Sequence, residues 1–330
     1  MIFAGDIRAL SLDDESSLAN AYAVECEATR RTRPGWVPLG EQARLAAWRA
    51  SGGWIHELVG AFENDRLIGF ASSSTAHDTP DTSWLSVSVA PQHQRRRVGT
   101  QLVHAVETMS PGPVRRFVAS AYRPTEADID VLSRNFAQPL GYARATTETV
   151  VELDLGAADL PPVAARDGYV VSTHVNGVPA HLQAQVGVLK GLVDAEAPNG
   201  ELNWQPSPVS PQAYQHEISL WQRQGRTAFE SIAVTTQGVV AAWTCLVVAA
   251  DASRPAQIEG TMVLTQHRGR QLGRAVKIAS LLAARDHGRT ARVRTSSDDQ
   301  NIWMRAINDG LGFVPMESEI LLQKQRSQPA

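Results

Sequence analysis

The sequence predicts a mixed α/β protein made of two similar domains in tandem. Three observations predict this fold class: the chain is 330 residues long, it contains one long internal repeat, and helical and strand-like segments follow the same order in both halves. A chain of this length usually forms more than one domain. A repeat with so long a period indicates duplication of a whole domain, because the repeats of solenoid proteins are far shorter.

The repeat is clearest in two segments that align without a gap at a shift of about 174 positions, VAPQHQRRRVGTQL over 89–102 and VLTQHRGRQLGRAV over 263–276. The identical pairs in this alignment are Val89 with Val263, Gln92 with Gln266, His93 with His267, Arg96 with Arg270, and Gly99 with Gly273. Further on, Leu-Gly-Tyr at 140–142 corresponds to Leu-Gly-Phe at 311–313. Both pairs of segments support a domain duplication.

The boundary between the halves is predicted at 156–168, where the sequence reads GAADLPPVAARDG. Adjacent prolines, several alanines and little periodicity are typical of a linker. We therefore expect a first domain over 1–155 and a second over 169–330.

In the first half, IRAL predicts a short strand, and helical patterns follow over about 13–30 and 40–50. The segments IHELVGAFEND and RLIGFASSS predict a hairpin with its turn at 63–65, and TSWLSVSV alternates as a half-buried strand does. A helix and the strand VRRFVASAY follow, and the helix carries on one face Val98, Leu102, Ala105, Val106 and Met109.

The second half repeats this order. YVVSTHV predicts a strand, and VPAHLQAQVGVLKGLV and SPQAYQHEISLWQRQ predict helices, the second with Ser207 or Ser210 as its cap. TAFESIAVTT and GVVAAWTCLVVAA predict the hairpin, and IEGTMVL the next strand. A helix with Leu272 and Val276 on its apolar face, the strand ARVRTSS and a helix over 301–310 follow. Each half reads β-α-α-β-β-β-α-β-α-β, which predicts a mixed sheet with a βαβ unit at its centre.

Composition excludes several classes of protein. Hydrophobic residues make up 43% and charged residues 20%, as in folded globular proteins, and a net charge of -3 does not indicate nucleic acid or membrane as a partner. The longest apolar run is too short to span a bilayer, and the N-terminus lacks the pattern of a signal peptide. Cys26 and Cys245 lack metal-ligand spacing and are expected to be buried thiols, so we expect a cytoplasmic protein without a metal.

Two arginine-rich segments stand where the central strand of each half ends and a helix begins, QRRRVG over 94–99 and RGRQLG over 268–273. Helix N-termini present unpaired N–H groups and the positive end of the helix dipole, and they bind phosphate groups readily. Arginine adds charge complementarity to a diphosphate. The pattern is typical of a diphosphate site; the alternative is a solvated, arginine-rich start of a helix.

The arrangement strand, Val-x-x-x-x-[Arg/Gln]-x-x-Gly-x-Gly, helix resembles the acyl-CoA signature of the GNAT (Gcn5-related N-acetyltransferase) superfamily. The Leu-Gly-Phe/Tyr endings are also similar to that family. The segment from Thr295 to Phe313 resembles the C-terminal half of actinobacterial-type tandem GNAT proteins. The resemblance covers nearly the whole chain and implies two tandem GNAT domains with acetyl-CoA as the acyl donor.

The resemblance also implies which residues bind the donor. The strand ends that would face its pantetheine arm are Val87, Ser88, Val89, Thr261, Met262 and Val263. The loops that would hold its pyrophosphate comprise Gln94, Arg95, Arg96, Arg97, Val98, Gly99 and Thr100 in the first half, and Arg268, Gly269, Arg270, Gln271, Leu272, Gly273 and Arg274 in the second. Asn301 and Asn308 would flank the arm, and the alternative for Asn301 is a helix cap.

The sequence departs from the family pattern in both halves. The first glycine of the signature is replaced by Arg97 and by Gln271, and a side chain there is expected to require a φ that is not positive. The tyrosine that protonates the thiolate in many GNAT enzymes is also missing, because Ala137 and Asn308 occupy the matching positions. Since the first loop also lacks the glycine found at Gly269, we expect the first domain to be degenerate and the second to be catalytic.

Acyl transfer from a thioester to an amine needs a polarised carbonyl and a base for the amine proton. In the second half the candidates are the backbone N–H of Val263 for the carbonyl, Glu259 on the same strand as the base, and Ser297 for acid assistance. The alternative for Glu259 is a solvated residue at a strand edge. Other candidate carboxylates lie in DAEAPNGEL, which is predicted to be a loop before the second helix of that half, namely Asp194, Glu196 and Glu201.

These features predict an acetyl-CoA-dependent N-acetyltransferase that acts on a small-molecule amine. The missing tyrosines favour an alternative, a non-catalytic acyl-CoA-binding sensor or scaffold. A third possibility is an aminoacyl-tRNA-dependent transferase, which the absence of a basic face disfavours. We expect no nucleic acid or membrane partner, and a monomer or a homodimer.

Overall fold

A computed structural model of the chain describes residues 3–50, 53–77, 79–164 and 166–326. The elements of the first half are β1 (Asp6–Leu10), α1 (Glu15–Thr32), α2 (Glu41–Arg49), β2 (Trp54–Glu63), β3 (Arg66–Ala76), β4 (Thr82–Val89), α3 (Val98–Met109), β5 (Arg116–Arg123), α4 (Glu126–Leu132) and β6 (Ala143–Asp154). Those of the second half are β7 (Tyr169–Val175), α5 (Ala180–Glu196), α6 (Pro211–Arg223), β8 (Thr227–Thr235), β9 (Val240–Val248), β10 (Ala256–Val263), α7 (Leu272–His287), β11 (Arg292–Asp298), α8 (Ile302–Asp309) and β12 (Val314–Gln325). The predicted order of elements is confirmed in both halves.

Local sequence signals explain several element ends. The turn between β2 and β3 contains Asn64 and Asp65, both with positive φ, as a tight hairpin turn requires. Ser210, rather than Ser207, caps α6, since its hydroxyl accepts a hydrogen bond from the N–H of Ala213 at 3.2 Å. Helix α5 continues to Glu196, so Asp194 and Glu196 lie in its last turn and not in a loop as the sequence suggested.

The chain divides into two compact units, one formed by residues 1–147 with 317–330 and the other by residues 148–316. The sheet of the first unit has the order β1-β2-β3-β4-β5-β12. Its neighbouring strands are antiparallel except β4 and β5, which are parallel. The sheet of the second unit has the order β6-β11-β10-β9-β8-β7, with β10 and β11 as the parallel pair. Each unit therefore has the predicted βαβ unit at its centre.

Each sheet carries helices on both faces. In the first unit, Leu102 and Val106 of α3 pack on one face, while Leu18 of α1 and Trp48 of α2 pack with Phe70 on the other. In the second unit, α7 covers one face, and α5 and α6 cover the other with an apolar cluster that includes Tyr214, Ile218, Trp221 and Trp243. Successive side chains of each strand alternate between the two faces, so a residue's position along its strand decides which helices its side chain faces.

The two units exchange their last strands relative to the predicted halves. The part of β6 from Glu148 to Asp154 pairs with β11 of the second unit, and the part of β12 from Ser318 to Gln325 pairs with β5 of the first. The predicted domains, 1–155 and 169–330, therefore differ from the compact units at these strands. A strand pattern in a sequence shows which side chains face a core but does not identify the strand's partner.

The predicted linker has neither helix nor strand over its described residues, 156–164 and 166–168, apart from an isolated β-bridge between Arg166 and Tyr169. It is nevertheless packed, because Leu160 is buried in the same apolar cluster as Leu153 and Phe313. Both cysteines are free and buried, as predicted.

Candidate functional site

The arginine-rich loops have the same backbone conformation in both units. In the first, Arg95 and Arg97 have positive φ, 62° and 65°; in the second, Gly269 and Gln271 have φ of 75° and 59°. The expectation that a side chain at Arg97 or Gln271 requires a φ that is not positive is therefore wrong. The loop keeps its left-handed positions although a residue with a side chain has an unfavourable free energy there. The surrounding strand and helix fix the path of the loop and so impose this conformation.

This conformation directs backbone N–H groups toward one point at the start of α3 and of α7. Within the described residues, the N–H groups of 95–100 and of 269–274 have no protein acceptor. Residues that alternate between right- and left-handed conformations form a concave anion site, and the positive end of the helix dipole adds to it. The two loops can therefore each hold a phosphate or diphosphate through backbone groups, whatever side chains the left-handed positions carry.

Replacing Arg97 with glycine is expected to raise the free energy of unfolding by about 1 kcal/mol, because glycine adopts a left-handed conformation without steric cost. Urea denaturation of the two proteins measures the difference. Arg96→Gly is the control, since Arg96 has no positive φ and its guanidinium binds Glu63. Equal destabilisation by both glycines would show that the left-handed position carries no strain.

The loop side chains bind the protein in several places. Gln94 donates from Nε2 to the Val89 carbonyl at 2.9 Å, and Arg268 donates from Nε to the Val263 carbonyl at 3.1 Å. Arg268 also forms an ion pair with Glu196. Gln94 and Arg268, which are predicted to bind the donor, thus connect the loop to the end of the preceding strand in both units.

Arg96 and its counterpart Arg270 bind groups of their own units. Arg96 binds Glu63 and His93, while Arg270 donates to the hydroxyl of Tyr169. The side chains of Arg95 and Arg97 are exposed. We infer that direct charge contacts to an anion at the first loop come from Arg95 and Arg97, and that Arg96 orients the loop.

In each unit the two central parallel strands separate just before this loop. In the first, pairing of β4 with β5 ends at Leu85 and Ala119; in the second, pairing of β10 with β11 ends at Gln257 and Arg294. Among the described residues, the rest of β4 and of β10 pairs as a strand only with its antiparallel neighbour, β3 or β9. A wedge-shaped cleft lined by backbone groups results on the open side.

The open edge presents the predicted strand-end groups. The N–H of Leu264 donates to Ala241 on β9, so by alternation the backbone groups of Val263 and Thr261 point away from β9, into the cleft. In the first unit, the N–H of Ala90 donates to Ile68, which places those of Val89 and Val87 in the same orientation. An extended arm with amide groups can therefore pair with either edge as an added strand.

Glu259 lies at an irregularity of β10, where the register with β9 shifts between Ile258 and Gly260. A bulge bends a strand and redirects a side chain. The Glu259 carboxylate accepts from Arg226 at 3.3 Å, and its side chain is 36% exposed. Burial raises the pKa of Glu259, and the Arg226 guanidinium opposes that effect. The geometry gives Glu259 both solvent access and a partner, so it is not the isolated solvated residue of the alternative interpretation.

Sequence reasoning missed a cluster of charged and aromatic groups on the face of the second sheet covered by α5 and α6. The Lys190 ammonium binds Glu217 at 2.7 Å and lies 5.1–5.9 Å from the rings of Tyr214, Trp221 and Trp243. Glu230 is fully buried and accepts from the Tyr214 hydroxyl and from Nε1 of Trp243. Burial raises the pKa of Glu230. The helical and strand patterns in the sequence do not show that these side chains, which lie on different elements, meet in one cluster.

A second cluster lies between α7 and α8. Asn308, predicted to flank the donor, is buried, and its Oδ1 accepts from the Lys277 ammonium at 2.6 Å. Its Nδ2 has no hydrogen-bond partner among the residues that the structure describes. Asn301 caps α8, since its Oδ1 accepts from the N–H of Met304 at 3.1 Å. Ser297, predicted to assist as an acid, is buried on β11 opposite Thr149 of β6.

The described residues contain no group of His, Cys, Asp and Glu side chains that could hold a metal ion. Among the helices described, none is both long enough and apolar enough to cross a bilayer.

The geometry agrees with comparisons to known proteins. Residues 20–142 match the family model described as "Acetyltransferase (GNAT) family". A tandem GNAT protein from the clavulanic acid biosynthesis pathway superposes on 99% of this chain and on 100% of its own length, with 20% identity and a TM-score of 0.79. A GCN5-related N-acetyltransferase from Sphaerobacter thermophilus does so over 98% and 97%, with 15% identity and a TM-score of 0.67.

A third solved structure extends the range of similar folds. It contains a GCN5-related glucosamine N-acetyltransferase region of a fungal multi-domain β-N-acetylglucosaminidase, and it covers 98% of this chain and 38% of that one, with 14% identity and a TM-score of 0.69. No curated protein sequence matches the chain.

The matched segment contains the separating strands β4 and β5 and the loop before α3, so residues 20–142 form a domain of the GNAT acetyltransferase family. Over its whole length the chain has the fold of a tandem GNAT protein.

Proposed function

We propose that the protein is an acetyl-CoA-dependent N-acetyltransferase that acylates a small-molecule amine in its second unit. The observation that carries this proposal is the arrangement along β10. A loop of free N–H groups follows the strand, the N–H of Val263 faces the cleft, and Glu259 lies at the bulge of the same strand. These are the groups that donor binding, carbonyl polarisation and amine deprotonation require.

Binding of the donor depends on the loop between β10 and α7. The N–H groups of 269–274 have no protein acceptor within the described residues, and Arg274 lies in the first turn of α7. The pyrophosphate of acetyl-CoA supplies the acceptors that these donors lack, and the arm lies along Thr261 and Val263. With the donor so placed, the amine nitrogen attacks the carbonyl carbon, Glu259 takes the amine proton, and the carbon–sulfur bond breaks to release the thiolate.

The amine must reach Glu259 from the face covered by α5 and α6. That face carries the carboxylates of Glu217, Glu230 and Glu259, with Lys190 and Arg226 as their cationic partners. Aromatic rings line it as well. We therefore propose a compact amine as the acceptor, cationic before it loses its proton, because carboxylates and aromatic faces both attract a cation.

Acetyl-CoA titrated calorimetrically into the protein tests donor binding. Gly269→Asp places a carboxylate in the second loop, at an open position whose φ of 75° aspartate tolerates. We expect it to weaken the second site about tenfold or more, because the carboxylate repels the pyrophosphate.

Arg95→Asp is the matched variant of the first loop. A wild-type protein that binds no acetyl-CoA would contradict the proposal. Loss of all binding in Arg95→Asp alone would place the donor in the first unit instead.

A further inference from the structure

The first unit receives part of its sheet from the end of the chain. Strand β12 pairs with β5 in a register that sets Glu319 opposite Tyr122 and Leu321 opposite Ser120. Ala119 and Ala121 of β5 pack toward the core under α3, so Ser120 and Tyr122 face the opposite side of the sheet. The exchanged strand thus brings acidic residues to the face covered by α1 and α2.

On that face the side chains of Ser120, Tyr122, Arg33 and Glu317 form a partly buried cluster around the buried Glu319. The Glu319 carboxylate accepts from the Ser120 hydroxyl and is 8% exposed, and the Tyr122 hydroxyl also bonds to it. Arg33, which follows α1, binds Glu317 with two hydrogen bonds, and its guanidinium lies 3.7 Å above the ring of Tyr122. Arg33 thereby orients Tyr122 and pairs with Glu317, and within the described part of the chain Glu319 has no direct ion pair.

This cluster lies beside the cleft of the first unit. Pairing of β4 with β5 ends at Ala119, so Ser120 and Tyr122 come directly after the point where the strands separate. Leu85, Val87 and Val89 face the α3 core, so Ser86 and Ser88 on β4 share the face of Glu319. A thioester held by the first loop and the open edge of β4 would have this hydroxyl-lined face on its acceptor side.

We propose that the first unit is a second acyl-transfer site, whose base is Glu319 supplied by the last strand, and whose acceptor is a hydroxyl-bearing primary amine. The serine and tyrosine hydroxyls select such an acceptor, whereas the face of the second unit is aromatic and ionic. This inference goes beyond the proposed function, which places catalysis in the second unit.

The transfer conserves atoms and charge. The ammonium form of the acceptor first gives one proton to the Glu319 carboxylate. The neutral nitrogen then forms a bond to the acyl carbon, the carbon–sulfur bond breaks, and the departing thiolate takes a second proton from the nitrogen, while the proton on Glu319 passes to solvent. Burial raises the pKa of Glu319 toward that of a useful base, and hydrogen bonds from Ser120 and Tyr122 and the charge of Arg33 act against this. The charge of Glu317 acts with burial.

The test measures thiol release from acetyl-CoA by the full-length Glu259→Gln protein, in which the second unit lacks its base. Ethanolamine is the acceptor, and propylamine is the matched amine without a hydroxyl. We expect turnover of ethanolamine that exceeds that of propylamine, falls with Arg95→Asp and persists with Gly269→Asp. Adding Glu319→Gln should lower it about 10²- to 10⁴-fold without changing acetyl-CoA affinity. Glu25→Gln, which removes a carboxylate bound to Arg44 on α2, is the control.

Hydroxylamine separates a base from a structural residue, because it is already neutral at pH 7 and needs no deprotonation before attack. We expect Glu319→Gln to keep turnover with hydroxylamine while losing that with ethanolamine. Absence of turnover with both nucleophiles in the Glu259→Gln protein, or equal loss of both on adding Glu319→Gln, would overturn the inference. If Glu259→Gln retains full wild-type turnover that Arg95→Asp abolishes, the proposed function fails and this inference stands.

Discussion

Replacing Glu259 with glutamine is expected to lower the turnover number of the second unit about 10²- to 10⁴-fold and to leave its acetyl-CoA affinity unchanged. Glutamine keeps the shape of the side chain and a hydrogen-bond acceptor for Arg226, but it cannot take the amine proton. The measurement is the initial rate of thiol release with saturating acetyl-CoA in an Arg95→Asp background, which weakens the first site, together with calorimetric titration of the same protein. Separating the two readouts distinguishes loss of chemistry from loss of donor binding.

The matched control is Asp286→Asn, which makes the same carboxylate-to-amide change at an exposed position near the end of α7. It should leave both readouts unchanged. A Glu259→Gln protein with wild-type turnover would assign the base to another group. A protein that binds acetyl-CoA and releases no thiol in the wild type would instead favour the sensor or scaffold alternative.

Replacing Lys277 with methionine and Asn308 with leucine together is expected to raise the free energy of unfolding by about 2–4 kcal/mol at pH 7. Burial lowers the pKa of Lys277 to about 7 from an ordinary 10.5, and its contacts are an amide oxygen and the Met304 sulfur rather than a carboxylate. Changing both partners avoids leaving Asn308 with two unsatisfied atoms.

The pH dependence of the free energy of unfolding shows whether burial of the Lys277 charge causes the expected gain in stability. Between pH 7 and 10.5 the unfolded chain binds the Lys277 proton and the folded chain does not, so the free energy of unfolding of the wild type rises with pH across this window. The cost of Lys277 is greatest at or below pH 7, and the gain of the double variant should shrink toward pH 10. Urea denaturation at several pH values measures both curves.

Lys190→Met is the contrasting control, because Lys190 is also mostly buried but pairs with Glu217. Burial lowers the pKa of Lys190, but the charges of Glu217 and Glu230 and the bond to Glu217 outweigh it, so the pKa of Lys190 is raised. We expect this variant to lose stability. A double variant of Lys277 and Asn308 that is less stable than the wild type at every pH would show that packing, and not desolvation, decides the energy there.

Much of the fold could be predicted from local pattern. Alternation identified β4, helical spacing identified α3 and α7, and the ungapped repeat paired the two loops from residue identities alone. These signals are strong because a period of 2 or 3.6 residues follows directly from backbone geometry. The conformation of the loops was only partly predictable. Glycine at Gly269 signals a left-handed residue, but Arg95, Arg97 and Gln271 adopt the same conformation without that signal.

The candidate site, like the loops, was only partly predictable from the sequence. Glu259 and Val263 could be proposed from their place on the strand before the loop, and the structure places both on the open part of β10. The sequence did not indicate that Lys190 and Lys277 are buried, since a lone lysine in a helical pattern is normally solvated. Their burial follows from the packing of α5 on β9 and β10 and of α7 on α8, which no single segment reveals.

By itself the sequence determined the order of elements, the duplication, and the two loops that can hold an anion, since each depends on residues close together in the chain. Only the tertiary structure decided which strand β6 and β12 pair with, and therefore that Glu317 and Glu319 belong to the first unit. The physical reason is that an alternating pattern specifies the face a strand buries, whereas the choice of partner depends on contacts between segments about 140 to 210 residues apart.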